Sequence, residues 1–123
     1  MKNVTYLIIV LLATLALSLG TNMVMAQDLA KAMPNDVKVI VDNDRVRVLE
    51  VIHRPGAKEP MHSHPAYVAV FLNATRLKVT MPDGKTVEKD RKAGETYFSE
   101  AVTHAVENTG TADQHVIVIE LKK

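Results

Sequence analysis

The sequence predicts an all-β protein, a single closed or sandwich-like antiparallel barrel of about eight short strands. Three observations carry this reading. Short runs alternate apolar with polar residues, turn-forming residues separate those runs at regular intervals, and no stretch has the apolar spacing of a credible amphipathic helix. Closing such a sheet also hides its strand edges.

The first 26 residues stand apart. Lys2 supplies a positive start, residues 6–19 form an apolar run, and Val24-Met25-Ala26 places small residues at minus three and minus one of a cleavage site. This is the pattern of a secretory signal peptide, and it predicts an exported protein, periplasmic or secreted. The run is shorter than the roughly 20 residues that span a bilayer, although residues 20–26 extend it to a marginal span, so an uncleaved anchor is the alternative. Membrane contact is expected only through this segment, before cleavage.

The chain has 123 residues, with 15 Lys and Arg against 14 Asp and Glu. Removing the leader takes Lys2 with it and leaves 14 charges of each sign. Such a balance argues against electrostatic binding of nucleic acid or of an anionic membrane surface. The sequence has no cysteine, which excludes a disulfide framework, a thiolate zinc site and a catalytic thiol. Any metal must bind through histidine or carboxylate.

Residues 27–36 read as an N-terminal arm, with at most one helical turn at residues 28–33 before Pro34. The barrel domain is expected over residues 37–123. Residues 37–41 and 45–48 alternate around the turn signal Asn43-Asp44 and predict a hairpin. Residues 67–72 are continuously apolar, as in a strand covered on both faces or lining a barrel. Residues 77–81 alternate again, and Pro82-Asp83-Gly84-Lys85 supplies a tight turn before residues 86–88. Residues 96–99, 105–107 and 115–121 complete the set, with a turn at residues 108–111. Met61, Phe71, Met81 and Phe98 are assigned to the core.

Four of the five histidines, His53, His62, His64 and His104, lie between the second strand and the last turn. On a strand, residues i and i+2 point the same way about 6.5–7 Å apart, so His62 and His64 can converge on one ion. His53 and His115 are read as exposed or structurally bonded rather than as ligands.

Gly56, five residues and then His62-Ser63-His64, followed later by Gly94, His104 and Asn108, form a pair of segments that resembles the two sequence motifs of the cupin superfamily. The resemblance spans roughly residues 45–121 and implies a cupin barrel of the jelly-roll type. It also implies that His104 joins His62 and His64 as a metal ligand. Two departures stand out: Val68 and Ala69 occupy the positions where the family places a Glu ligand, and the second motif is one residue short, with Glu100 where Pro is common. Strand alternation turns Glu107 away from His104 and sends Ala66, Val68 and Val70 to the side of His64 unless Pro65 introduces a bulge. The expectation is therefore a three-histidine site completed by water, with Val68, Tyr67 and Tyr97 lining the pocket.

Imidazole suits several ions, so the cofactor is a divalent metal among Fe, Zn, Ni, Mn and Cu. Binding should weaken below about pH 6.5, where histidines compete for protons. Two functions remain open at this point: a dioxygenase-like metalloenzyme acting on a small molecule, or a non-catalytic cupin that binds a metal or small anion. The resemblance further implies a homodimer paired through sheet edges.

Overall fold

The structure, a computed structural model, describes residues 27–123, so the leader lies outside the described residues. Among the described residues one short helix, α1 (Leu29–Ala32), precedes nine strands: β1 (Val37–Asp42), β2 (Val46–His53), β3 (Lys58–His64), β4 (Tyr67–Phe71), β5 (Thr75–Thr80), β6 (Thr86–Arg91), β7 (Thr96–Ser99), β8 (Val102–Asn108) and β9 (Gln114–Leu121). They form a five-stranded sheet in the order β1-β2-β9-β4-β7 and a four-stranded sheet in the order β3-β8-β5-β6. All the strand pairs are antiparallel.

The strand beyond the expected eight is β3, which carries the His62-Ser63-His64 triplet. Pro60 masks it in the sequence, because proline lacks the N–H that an interior strand needs. Here the proline is tolerated: β3 is an edge strand, and its register against β8 shifts between Glu59 and His62. Three steps on β3 oppose two on β8, since Glu59 faces Val106 and His62 faces His104. Such a bulge brings Glu59 and His62 to the same face, although a regular strand would place residues i and i+3 on opposite faces.

Both expected hairpins form. The Asn43 side chain accepts from the backbone N–H groups of Arg45 and Val46 at 2.8 and 3.0 Å, closing the β1–β2 turn. Between β5 and β6, Gly84 adopts φ 85°, and the Asp83 carboxylate accepts from the Lys85 N–H at 2.9 Å. The positive φ there is the reason for glycine.

The core lies between the sheets. Leu49 and Val51 from β2, Tyr67, Ala69 and Phe71 from β4, and Val116 and Val118 from β9 face Leu77 and Val106 of the other sheet. The N-terminal arm packs onto this body: Leu29 is buried, Gln27 bridges to His62, and the Ser63 N–H donates to the Gln27 carbonyl. Two core assignments differ from expectation, and Met81, 36% exposed just past β5, is the first. Phe98 is 55% exposed, because β7 alternates and it is Tyr97 that turns inward. Leu72 falls just past β4 and is exposed, while Tyr67, Ala69 and Phe71 are buried, so β4 lines the barrel, one of its two expected settings.

Candidate metal centre and ligand cavity

The β3–β8 register sets His62 beside His104, and strand alternation keeps His64 on the same face as His62. On β8, His104, Val106 and Asn108 are buried on one side, while Glu107 turns outward to Lys78 at 2.8 Å. One ring nitrogen from each of His62, His64 and His104 lies within 4.8 Å of the other two. The three ring centroids are 4.7 to 5.5 Å apart.

The hydrogen bonds define which nitrogen of each ring is free. His62 Nδ1 lies 2.8 Å from the Pro60 carbonyl, which can only accept, so Nδ1 donates and Nε2 of the neutral ring carries a lone pair. His64 Nδ1 donates in the same way to the Glu120 carboxylate at 2.7 Å. The two Nε2 atoms face each other at 3.0 Å, and Glu59 Oε2 stands 3.3 Å from the Nε2 of His62. Three lone-pair donors therefore converge on one small volume, which is unfavourable unless a proton or a cation stands among them.

A proton is the poorer solution. Burial pulls the pKa of His62 below its ordinary value against the opposing charge of Glu59, and it pulls His104 down to about 4, helped by the nearby His62. The His62–His64 pair is spaced for a divalent ion, because two ligand nitrogens about 2.1 Å from one ion and close to 90° apart are themselves about 3.0 Å apart, and His104 stands within 4.8 Å to complete the set. The same burial revises the expected pH limit: His62 and His104 stay neutral below the range near 6.5 where exposed histidines take up protons.

Carboxylates support the rings from behind. Glu120, buried on β9, also lies 3.3 Å from the Arg47 guanidinium, and Arg47 in turn pairs with Asp28 of the arm. Such carboxylate–histidine pairs fix ring orientation and raise ligand basicity. Glu59, only 5% exposed, accepts from His53 Nε2 at 2.6 Å, and His53 Nδ1 lies 3.1 Å from Asp36 near the surface. Burial alone would lower the His53 pKa, but the hydrogen bonds and charges of Glu59 and then Asp36 outweigh it and raise it above its ordinary value. His53 is thus a bonded, buried histidine, and His115 is a half-buried one that bonds Glu50 at 2.9 Å.

Glu59 and Glu120 are the site residues that reading the sequence missed. Glu59 is hidden by the bulge at Pro60. Glu120 left a usable signal, since it occupies the inward phase of β9 after Val116 and Val118, where a carboxylate is out of place in a core.

A cavity of about 270 Å³ opens beside the centre, with Glu59, His64 and His104 at one end and Tyr67 and Tyr97 in its wall. The two tyrosine hydroxyls are 3.1 Å apart. Burial, then the bond to Tyr97, pushes the Tyr67 pKa up, so Tyr67 offers a neutral phenol rather than an anionic ligand. Val68 does not line this cavity. Pro65 and Ala66 break the strand between β3 and β4, the phase reverses, and Tyr67, Ala69 and Phe71 face inward while Val68 pairs with Phe98 on the outer face.

No family model matches the chain, and no curated protein does. Solved structures do match. A cupin domain from Bordetella pertussis is 31% identical, covering 71% of this chain and 92% of that one, with a TM-score of 0.66. An RmlC-like cupin family protein with a double-stranded β-helix fold from Methanocaldococcus jannaschii is 14% identical over 70% of this chain and 78% of that one, with a TM-score of 0.58. KdgF from a Halomonas species is 13% identical over 71% and 79%, with a TM-score of 0.53. The identity to the Bordetella domain over nearly its whole length, on a fold that joins the two histidine segments, shows that the chain belongs to the cupin superfamily.

Proposed function

We propose that the protein is an exported metallocupin that holds one divalent ion on His62, His64 and His104, with Glu59 as a fourth donor, and acts on a small molecule in the adjoining cavity by dioxygenase-like chemistry. The observation that carries this is the convergence of three lone-pair atoms, Nε2 of His62, Nε2 of His64 and Oε2 of Glu59, with the opposite nitrogen of each of these two rings already committed to an acceptor. When bound, the ion supplies Lewis acidity and open coordination positions.

The protein's own groups do the rest. Pro60 and Glu120 lock the tautomers of the two β3 histidines, His53 holds Glu59 toward them, and the apolar walls exclude water from the ligand. Glu59 takes the place left by Val68 and Ala69, and it approaches from the strand side that precedes the histidines rather than the one that follows them.

Oxygen uptake tests the chemistry. Iron-loaded protein supplied with small apolar acids should consume dioxygen above the rate of the His104→Ala variant, and equal rates would reject it. One observation favours the second reading, non-catalytic binding: Glu59 is committed to His53 at 2.6 Å, which suits holding an ion better than moving a proton. Tight ligand binding without turnover would select that reading. For a homodimer, packed through a sheet face rather than through the expected sheet edges, support comes from an apolar row across the outer face of the five-stranded sheet, Val41, Val48, Ile119, Val68 and Phe98, each register-paired with the next. Sedimentation velocity reads the dimer directly.

A further inference from the structure

The cavity has a second charged end, which the metal reading does not use. β6 is the far edge of the four-stranded sheet, and alternation sorts its charges by sign. Glu88 and Asp90 face outward to Arg76, at 2.6 and 3.7 Å, whereas Val87, Lys89 and Arg91 line the cavity. Among the described residues no carboxylate pairs with Lys89. Arg91 lies over the Tyr97 ring, 4.5 Å from its centroid, and gives one guanidinium nitrogen to Glu95 at 2.5 Å.

Counting Lys89, Arg91 and Glu95 leaves one unit of positive charge at this mouth, which matches a monoanion rather than a phosphate dianion. Between the two ends the walls are apolar, with Leu77, Val79, Val106 and Val116. Register gives the span. Lys89 is level with Leu77, and the β5–β8 ladder, which pairs Thr80 with Ala105, puts His104 level with Met81. Four strand residues separate these levels, about 13 Å, and the lysine stem reaches across part of that distance.

We propose that the ligand of this cavity is a small monocarboxylate with an apolar body, either one ring or one short chain. Its carboxylate meets Lys89 and Arg91 between β6 and β7, and its other end lies toward His64 and His104. This rests on the reading of the cavity as the ligand site, and it names the substrate class. Arg91 supplies a stacked cation whose remaining donors suit a planar carboxylate, and Lys89 supplies a point charge at the opening.

The test compares benzoate and hexanoate with benzamide and hexanamide by calorimetry, on the metal-loaded protein and again after metal removal. The expected result is at least tenfold tighter binding of each acid than of its amide, in both forms. That preference should shrink by most of its size in Lys89→Gln and in Arg91→Met, and by less in Arg91→Lys, which keeps the charge without the planar fork, while metal content measured on the same samples stays at the wild-type level. Equal binding of acid and amide, or no binding of any of the four, overturns the proposal. So does a preference that disappears on metal removal and survives Lys89→Gln and Arg91→Met, because the carboxylate would then sit on the metal. A wild type that takes up no metal but keeps the acid preference would reject the metal centre alone.

Discussion

The two edges of the four-stranded sheet handle charge in opposite ways. On β3, at one edge, each ionisable side chain that turns inward has a partner: Glu59 has His53, His62 has the Pro60 carbonyl and His64 has Glu120. On β6, at the other edge, Lys89 turns inward with no acid beside it among the described residues, and Arg91 shares Glu95. A closed polar network specifies geometry, because each group has one place to be. An unmatched cation at an opening specifies little within the protein and leaves its charge for something that arrives. The β3 edge is therefore the rigid end of the cavity, and the β6 edge is the receiving end.

Breaking the β3 network should have the largest effect on stability. His53→Leu leaves the Glu59 carboxylate buried without its 2.6 Å partner, and removing one member of a buried pair costs roughly 3–5 kcal/mol. Denaturant unfolding of the metal-free protein measures this, and a loss under 1 kcal/mol would mean that the pair is ornamental. Glu59→Gln keeps the shape and removes the charge. It should lower metal affinity roughly 10–100-fold, read by competition with a chelator of known affinity.

The same network sets a pH dependence in the metal-free protein. The His53 pKa is raised in the fold, so its contribution is fully present below the unfolded value near 6.5 and is lost as pH rises through the folded value. Melting temperature should therefore fall on the alkaline side of 6.5 in the wild type, and this fall should be absent in His53→Gln. Asp28 has the opposite sign and a smaller effect. Its hydrogen bond to Arg47 holds its pKa below 3.8, so its contribution is present above that value and lost only as pH falls further. The difference in melting temperature between wild type and Asp28→Asn should thus vanish in strong acid. Lys89→Gln, on the receiving edge, should change stability by less than about 0.5 kcal/mol while altering acid selectivity.

Much of this contrast is legible from residues alone, and the exceptions have local causes. Alternation identified both hairpins and, once the motif resemblance had set His104 inward, the outward turn of Glu107. It failed wherever a proline or a break shifted the phase. The bulge at Pro60 concealed β3 as a strand and concealed Glu59 as a neighbour of His62. The interruption at Pro65 and Ala66 put Ala69 rather than Val68 on the inner wall, beside the Tyr67 expected there. Phe98 shows a different limit, since size and apolarity do not say which side of a strand is inside. Period-2 patterns assign residues to two faces. Only the pairing partners decide which face is which.

The most direct test of the account is elemental analysis of protein purified from its native compartment, set beside His62→Ala and His104→Ala prepared in the same way. The account predicts close to one divalent ion per chain in the wild type and little or none in either variant, with the fold intact by circular dichroism. Variants that are folded and retain the wild-type metal content would contradict it.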